Sequence, residues 1–280
     1  MSVNWLDVKS LSFNTLLLLE RVQFGWLPGW VPEQEMAIAL HANPVVRWYM
    51  EHKNPAIQDW VQEICAKYAP TPEKDRIREA EETVMRSMND LVVYAVDPDV
   101  YANQEFLTYE DSELLKITDF TGKVVLDIGA GTGRLTFIAA EAGAKAVIAV
   151  EPVENLRCYI RAKAKERGYS NVYAVDGIIT EIPFYDEFAD IVMGGHVFGD
   201  FVEEEYAECM RVTKPGGMVI FHPGSTLRQV EAHEFLVGKG FEFEQFLEPP
   251  ELIVRKYWKR KGKKSSKEFN GETQQKTSCS

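Results

Sequence analysis

The sequence predicts an α/β protein: a mostly parallel sheet covered by helices on both faces, preceded by a region that is helical throughout. Three observations carry this. From Lys123 onward, short apolar runs alternate with segments of helical period, the pattern of repeated strand-helix units. The last two strand-like runs are separated only by "EPP", too little chain for a crossover helix, so the closing pair is expected to be antiparallel. Before about residue 110, prolines punctuate helical segments and no strand pattern is found.

The chain has 280 residues, 45% of them hydrophobic, enough for one large domain or a standard domain with a substantial attachment. The expected division is a helical region over 1–110, which forms a lid and substrate wall, a sheet region over 111–260, and a disordered basic and polar tail over 261–280. In the first region Pro28, Pro32, Pro44, Pro55, Pro70 and Pro72 separate short helices such as "EQEMAIALHANPVVRWYMEH" and "NPAIQDWVQEICAKYA". The stretch "TPEKDRIREAEETVMRSMNDLVVYAV" reads as one helix. Thr71 caps it, Pro72 sits in its first turn, and Ile77, Val84, Met88, Leu91 and Val92 share a face. Five of the six tryptophans precede residue 61, so this region should own an apolar cluster or cover the sheet. In the second region the order is "KVVLDIG", a helix to about Gly143, "AVIAVEP", a helix to about Gly168, "NVYAVDG", a connection, and "ADIVMGG". A further helix, "GGMVIFHPG", a helix from about Ser225 to Gly238 and the closing pair follow.

The formal charge of -12 argues against a nucleic-acid substrate, because holding a phosphate backbone needs a concentrated basic footprint. Cys65, Cys158, Cys209 and Cys279 are scattered, with no pair or Cys/His cluster at ligand spacing; reduced thiols and no metal are expected. Cys158 and Cys209 fall within expected helices and read as buried small hydrophobes. No apolar run is long enough to cross a bilayer and no signal peptide is visible, so the expected location is cytoplasmic. Nothing in the sequence sets an oligomeric state.

The most informative segment is "VVLDIGAGTGRLT". A buried strand runs into Gly129, Ala130, Gly131, Thr132 and Gly133, and then into a helix beginning near Arg134. Such a loop lets a ligand approach the backbone, and the helix start behind it presents unpaired N–H groups. Glu151, at the end of the second strand, is placed to accept from the hydroxyls of a ribose. A nucleoside-containing cofactor is implied. The dinucleotide pattern fails where Arg134 replaces its last glycine, and no Gly-Lys-Ser/Thr of a P-loop follows.

The set "DIGAGTG", "VEP" and "VDG" at three strand ends, with "KPGGMVIFHPG" and the closing hairpin, resembles the class I S-adenosylmethionine-dependent methyltransferases over about Leu114 to Lys259. That resemblance implies a seven-stranded Rossmann-like sheet of order 3-2-1-4-5-7-6, with strand 7 antiparallel. It implies S-adenosylmethionine as cofactor, S-adenosylhomocysteine as product, and no metal. By the same resemblance Gly129, Ala130, Gly131 and Gly133 pass under the methionine part, with Asp127 near its amino group. Glu151 meets the ribose, Pro152 lies beside the adenine, and Asp176 accepts from the adenine amino group, with Gly177 and Ile178 supplying backbone contacts. Gly194 and Gly195 meet the methionine amine through backbone carbonyls. Taken singly, Asp127 or Asp176 reads more often as a cap or turn residue; their shared context is what points to the cofactor.

The residues after the fourth strand bear on the acceptor. Met193-Gly194-Gly195-His196 is no "NPPY"-like tetrapeptide, no Pro-Cys nucleophile is present, and Asp190 precedes the strand instead of ending it. What remains resembles small-molecule methyltransferases, and the expected partner is a small-molecule acceptor. A protein or RNA group as acceptor, or a non-catalytic module that binds S-adenosylmethionine, are the alternatives. His196 is the candidate base, since its ordinary pKa suits proton abstraction, but a substrate or cofactor contact without proton transfer, or a purely structural place in the wall, are the other readings. Tyr101, Tyr109, Asp200 and His222 are the other candidates on the substrate side, with Phe106 between the two tyrosines. Asp200 reads equally as a cap of the helix beginning at Val202. The stretch "RVQFGWLPGWVP" reads as helical core more than pocket lining.

Overall fold

The computed structural model describes residues 5–263. Among the described residues eight α-helices precede the sheet, besides short 3-10 turns: α1 (Arg21–Gly25), α2 (Glu33–Ala42), α3 (Pro44–Lys53), α4 (Gln58–Lys67), α5 (Lys74–Ser87), α6 (Asn89–Val96), α7 (Pro98–Ala102) and α8 (Ser112–Leu115). The stretch from Thr71 is therefore two helices. The first starts at Lys74, with Thr71 Oγ1 accepting only from the Glu73 N–H, and the chain breaks at Met88, outside the helical region of φ/ψ. The break turns α6, so that Leu91, Val92 and Ala95 still reach the core that Val84 and Met88 enter.

That core is the helical region's own. Phe13, Leu16, Phe24, Met36, Leu40 and Met50 form its fully buried centre. The tryptophans do not build it. Trp26, Trp30 and Trp48 are exposed, Trp60 packs at its margin, and Phe24 and Leu27 are the residues of "RVQFGWLPGWVP" that go inside.

The sheet region follows as β1 (Val124–Ile128), α9 (Arg134–Glu141), β2 (Ala146–Val150), α10 (Glu154–Glu166), β3 (Val172–Val175), β4 (Ala189–Gly194), α11 (Val202–Val212), β5 (Thr213–Thr226), α12 (Val230–Gly238), β6 (Glu242–Glu248) and β7 (Leu252–Arg260). The strand order is β3-β2-β1-β4-β5-β7-β6, parallel except that β7 runs antiparallel to both its neighbours. Side chains alternate across the pleat, so Val125 faces the cluster of Leu135 and Ile138 from α9, while Leu126 and Ile128 face the cluster of Cys209, Val212 and Leu236 from α11 and α12. Asp127 shares the α9 face with Val125.

Several expectations needed correction. β5 continues to Thr226, because Ser225 and Thr226 pair with Arg255 and Val254 across a register shift, and the next helix starts only at Val230. Asp190 lies inside β4, but at the end opposite the glycine loop, accepting from the Val124 N–H and pairing with Lys214. Cys158 is exposed, on the outer face of α10, while Cys65 and Cys209 are buried. The expected tail lies, from residue 264, outside the described residues, as does Cys279. Among the described residues no helix is long and apolar enough to cross a membrane, and no group of three or more His, Cys, Asp or Glu is arranged to hold a metal.

Candidate functional site

At the carboxyl end of β1 the chain turns through Gly129, Ala130 and Gly131 into α9. Gly129 and Gly131 have φ of 63° and 57°, a left-handed backbone that side chains with a Cβ rarely adopt. A pocket opens above this loop. Its floor is Asp127, Gly129, Ala130, Gly131 and Thr132; its sides are Arg134, Leu135, Gly195, His196 and Pro223; its cover is Tyr101, Leu107 and Tyr109 from the segment before β1. The cover sits close: a Cβ added at Gly131 would lie 3.7 Å from the Tyr101 ring.

Asp127 is fully buried, and burial pushes its carboxyl up to about 7, against the opposing hydrogen bond from Thr136. Thr136 Oγ1 donates to Oδ2 at 2.5 Å, and Oδ1 has no partner among the described residues. A buried carboxylate oxygen without a donor is costly, and such atoms call for an explanation. A bound ammonium group would supply the donor.

Glu151 is 4% exposed, and its carboxylate braces the loop: Oε2 accepts from the Gly131 N–H at 2.8 Å and Oε1 from the Val153 N–H at 3.0 Å. Burial raises it to about 7, while those two N–H groups pull the other way. Each oxygen keeps a further lone pair for a ligand hydroxyl. Arg157 links the neighbouring strand ends, donating to the Glu151 carbonyl at 2.6 Å and to Asp176 at 3.0 Å. Asp176 itself is mostly exposed, and Pro152 is half-buried after Glu151.

Other glycines in the motifs are explained by packing. A Cβ at Gly177 would meet Pro183 and Val150 at 2.7 Å, one at Gly133 would meet Phe137 at 3.0 Å, and one at Gly194 would meet the Ile128 carbonyl at 2.8 Å. Ile178 forms an isolated bridge with Glu181. Of the expected cofactor residues, Asp127, Gly129, Ala130, Gly131 and Gly195 line the pocket directly. Glu151 reaches it through Gly131, and Pro152, Asp176, Gly177 and Ile178 continue along the strand ends.

On the other side the outcome is mixed. Tyr101 and Tyr109 both line the pocket, and burial pushes the Tyr101 phenol up to about 12 and raises that of Tyr109. Phe106 meets His196 edge to face, with ring centroids 5.9 Å apart. His222 is not at the pocket surface. It is fully buried between Tyr109 and Phe246, its ring nitrogens have no partner, and burial lowers it to about 3, so it is neutral packing. Asp200 is exposed outside the pocket and does not cap α11; the buried Glu205 does that work, accepting from the backbone N–H groups of Gly199, Asp200 and Phe201. A carboxylate one turn into the helix reached back where the loop carboxylate pointed away.

His196 stands at φ 53°, and its backbone N–H donates to the Pro223 carbonyl at 2.8 Å. Its Nε2 lies 2.7 Å from Oε1 of Glu248, a carboxylate 3% exposed at the end of β6. Glu248 was not legible beforehand: it is 52 residues from His196, the last residue of β6, at the start of a turn that reads only as "EPP". Arg134, seen in the sequence only as a broken glycine pattern, clamps the cover by donating to the Tyr109 carbonyl and pairing with Asp111 at 2.8 Å.

The sheet order 3-2-1-4-5-7-6 with β7 antiparallel is that of the Rossmann-like methyltransferase fold, and the pocket lies at the carboxyl ends of β1 and β4 beside the glycine loop. Residues 126–221 match the family described as a methyltransferase domain. A histone-arginine methyltransferase, CARMER, of Drosophila persimilis is 32% identical over 114 residues, covering 39% of this chain and 21% of that protein. An uncharacterized methyltransferase of a Geobacillus species is 32% identical over 120 residues, covering 41% of this chain and 54% of that protein. The chain thus spans about a fifth of the one relative and about half of the other. A SAM-dependent methyltransferase from Aquifex aeolicus is similar in structure with a TM-score of 0.46 at 19% identity, over 58% of this chain and 98% of that chain.

Proposed function

We propose that the protein transfers the methyl group of S-adenosylmethionine to a small-molecule acceptor in the space between the glycine loop and its aromatic cover. The observation that carries this reading is the buried, unpartnered Oδ1 of Asp127 beside that space. Asp127 takes the cofactor's ammonium group, directly or through water, and Gly129, Ala130, Gly131 and Gly133 form the loop beneath it. Glu151 takes the ribose hydroxyls with the lone pairs that Gly131 and Val153 leave free. Pro152, Asp176, Gly177 and Ile178 flank the adenine, and Gly194 and Gly195 offer backbone carbonyls. When bound, the cofactor supplies an already electrophilic methyl group, so the chain's own work is to align the acceptor and exclude water. Tyr101, Tyr109 and His196 do this on the acceptor side.

A small acceptor is favoured because Tyr101, Leu107 and Tyr109 cover the pocket, and the net charge of -12 repels polyanions. A protein acceptor is the second reading, and the name of the Drosophila relative is what favours it. Calorimetric titration with S-adenosylmethionine and S-adenosylhomocysteine tests the binding: both should bind, and absence of both sinks the proposal. Methyl-labelled cofactor with fractionated cell extract separates the acceptors. Label in metabolites supports a small acceptor, label in protein supports the second reading, and binding without any transfer leaves a non-catalytic module.

A further inference from the structure

We infer that Glu248 is a positioning residue that makes His196 a base through Nδ1, and that the acceptor of this site is therefore a hydroxyl group. The inference rests on the methyl-transfer reading above and deepens it. Three observations meet here. Glu248 Oε1 lies 2.7 Å from His196 Nε2, and the carboxylate is 3% exposed while the imidazole is 36% exposed. His196 Nδ1 has no partner among the described residues, and the residue lines the pocket beside Gly195. The backbone of His196 is held in the left-handed region by the Pro223 carbonyl, a conformation that non-glycine residues adopt where the surroundings enforce it.

The chemistry follows from which ring nitrogen carries the proton. A carboxylate accepts only, so Nε2 facing Glu248 must be the N–H of the neutral ring, and Nδ1 keeps its lone pair. A ring so arranged accepts a proton, and the buried carboxylate stabilises the imidazolium that results. Such a device is wasted on a thioether or a neutral amine, which presents a lone pair without shedding a proton first. A hydroxyl does need it; a thiol or a carbon acid would need it as well, and the atom that takes the label separates these from a hydroxyl. The acceptor oxygen forms its bond to the methyl carbon as the carbon–sulfur bond breaks, its electron pair staying on sulfur. The hydroxyl proton passes to His196 Nδ1 and leaves to water afterwards. Tyr101 and Tyr109 do not compete for that role, because burial holds both phenols protonated.

The test uses the full chain with nitrogen-labelled histidine. Ring-nitrogen NMR of the neutral His196 should find the proton on Nε2 in the wild type and a mixture of tautomers in Glu248→Ala. With methyl-labelled cofactor and the extract fraction that takes label, the label should sit on oxygen. Glu248→Ala and the isosteric Glu248→Gln should each lower kcat by at least about 10-fold, because the imidazolium formed in the step loses the carboxylate that orients and stabilises it. Cofactor Kd should stay within about twofold. A wild-type proton on Nδ1, label on nitrogen, sulfur or carbon, or a Glu248→Gln enzyme of unchanged kcat would each overturn the inference. Should Glu248→Ala fail to fold, Glu248→Gln carries the kinetic arm alone. Failure of S-adenosylmethionine to bind would instead remove the methyl-transfer reading and leave the tautomer result standing.

Discussion

The two halves of the molecule reach the same pocket by different means. In the sheet half, Asp127 stands two residues before the turn that follows β1 and Glu151 directly after β2, so the strand ends of one parallel sheet place both. In the helical half, Tyr101 comes from the short α7 and Tyr109 from the segment between α7 and α8, and nothing in their own spacing aims them. They are aimed by contacts: Trp5 and Tyr94 edge to face on Tyr101, Arg134 over the ring of Tyr109 at 4.2 Å, and Lys256 holding Glu113 at 2.8 Å. The comparison teaches that the floor of the site is built into the fold, while its cover depends on a docked neighbour that has its own separate core.

That separation is open to attack, starting from the largest effect. Phe24→Ala, at the fully buried centre of the helical core, should lower unfolding free energy by about 3–5 kcal/mol in denaturant melts, the usual cost of an aromatic cavity. Cofactor affinity of the folded protein should stay within about twofold, since Phe24 lies in the helical core and does not line the pocket. A matching loss of affinity would mean that the two halves form one cooperative unit.

Asp127→Ala probes the floor. Removing one charge-assisted hydrogen bond costs about 2 kcal/mol, or about 30-fold in Kd for S-adenosylmethionine by calorimetry. Unchanged affinity would take the ammonium group away from Asp127.

The pH dependence sharpens the same point. Asp127 is held at about 7 by burial, so it is mostly protonated at pH 6 and mostly ionised at pH 8. The anion is the form that binds an ammonium group, so affinity should rise with pH, by about tenfold across this interval. Glu151, also at about 7, adds in the same direction, because its ionised form is the better acceptor for ribose hydroxyls. Asp127→Asn should flatten most of the slope, and a slope of the opposite sign would refute the assignment.

The smallest effect is expected at the clamp. Asp111 pairs with Arg134 but is half exposed, so Asp111→Ala should cost only about 0.5 kcal/mol, a roughly twofold change in cofactor Kd. A tenfold change would show that the cover is held by this pair and not by the packing of its aromatics.

What the sequence by itself determined is the sheet, its closing hairpin and the strand-end acids. Alternating apolar runs, glycines at turns and acids at strand ends are local patterns, and a parallel sheet converts each strand end into a known place in space. Helix boundaries around Met88 and Val230 escaped because a turn toward the core, and a strand pairing beyond Phe221, are decided by what the chain meets later. His222 and Asp200 carried the right chemistry at the right chain positions. Tertiary packing buried the first between Tyr109 and Phe246 and left the second outside, its capping role taken by Glu205. Only the folded structure could join His196 to Glu248 or lay Tyr101 over Gly131. Those contacts join residues tens of positions apart in the chain, where no periodicity links them and burial and charge alone choose the partner.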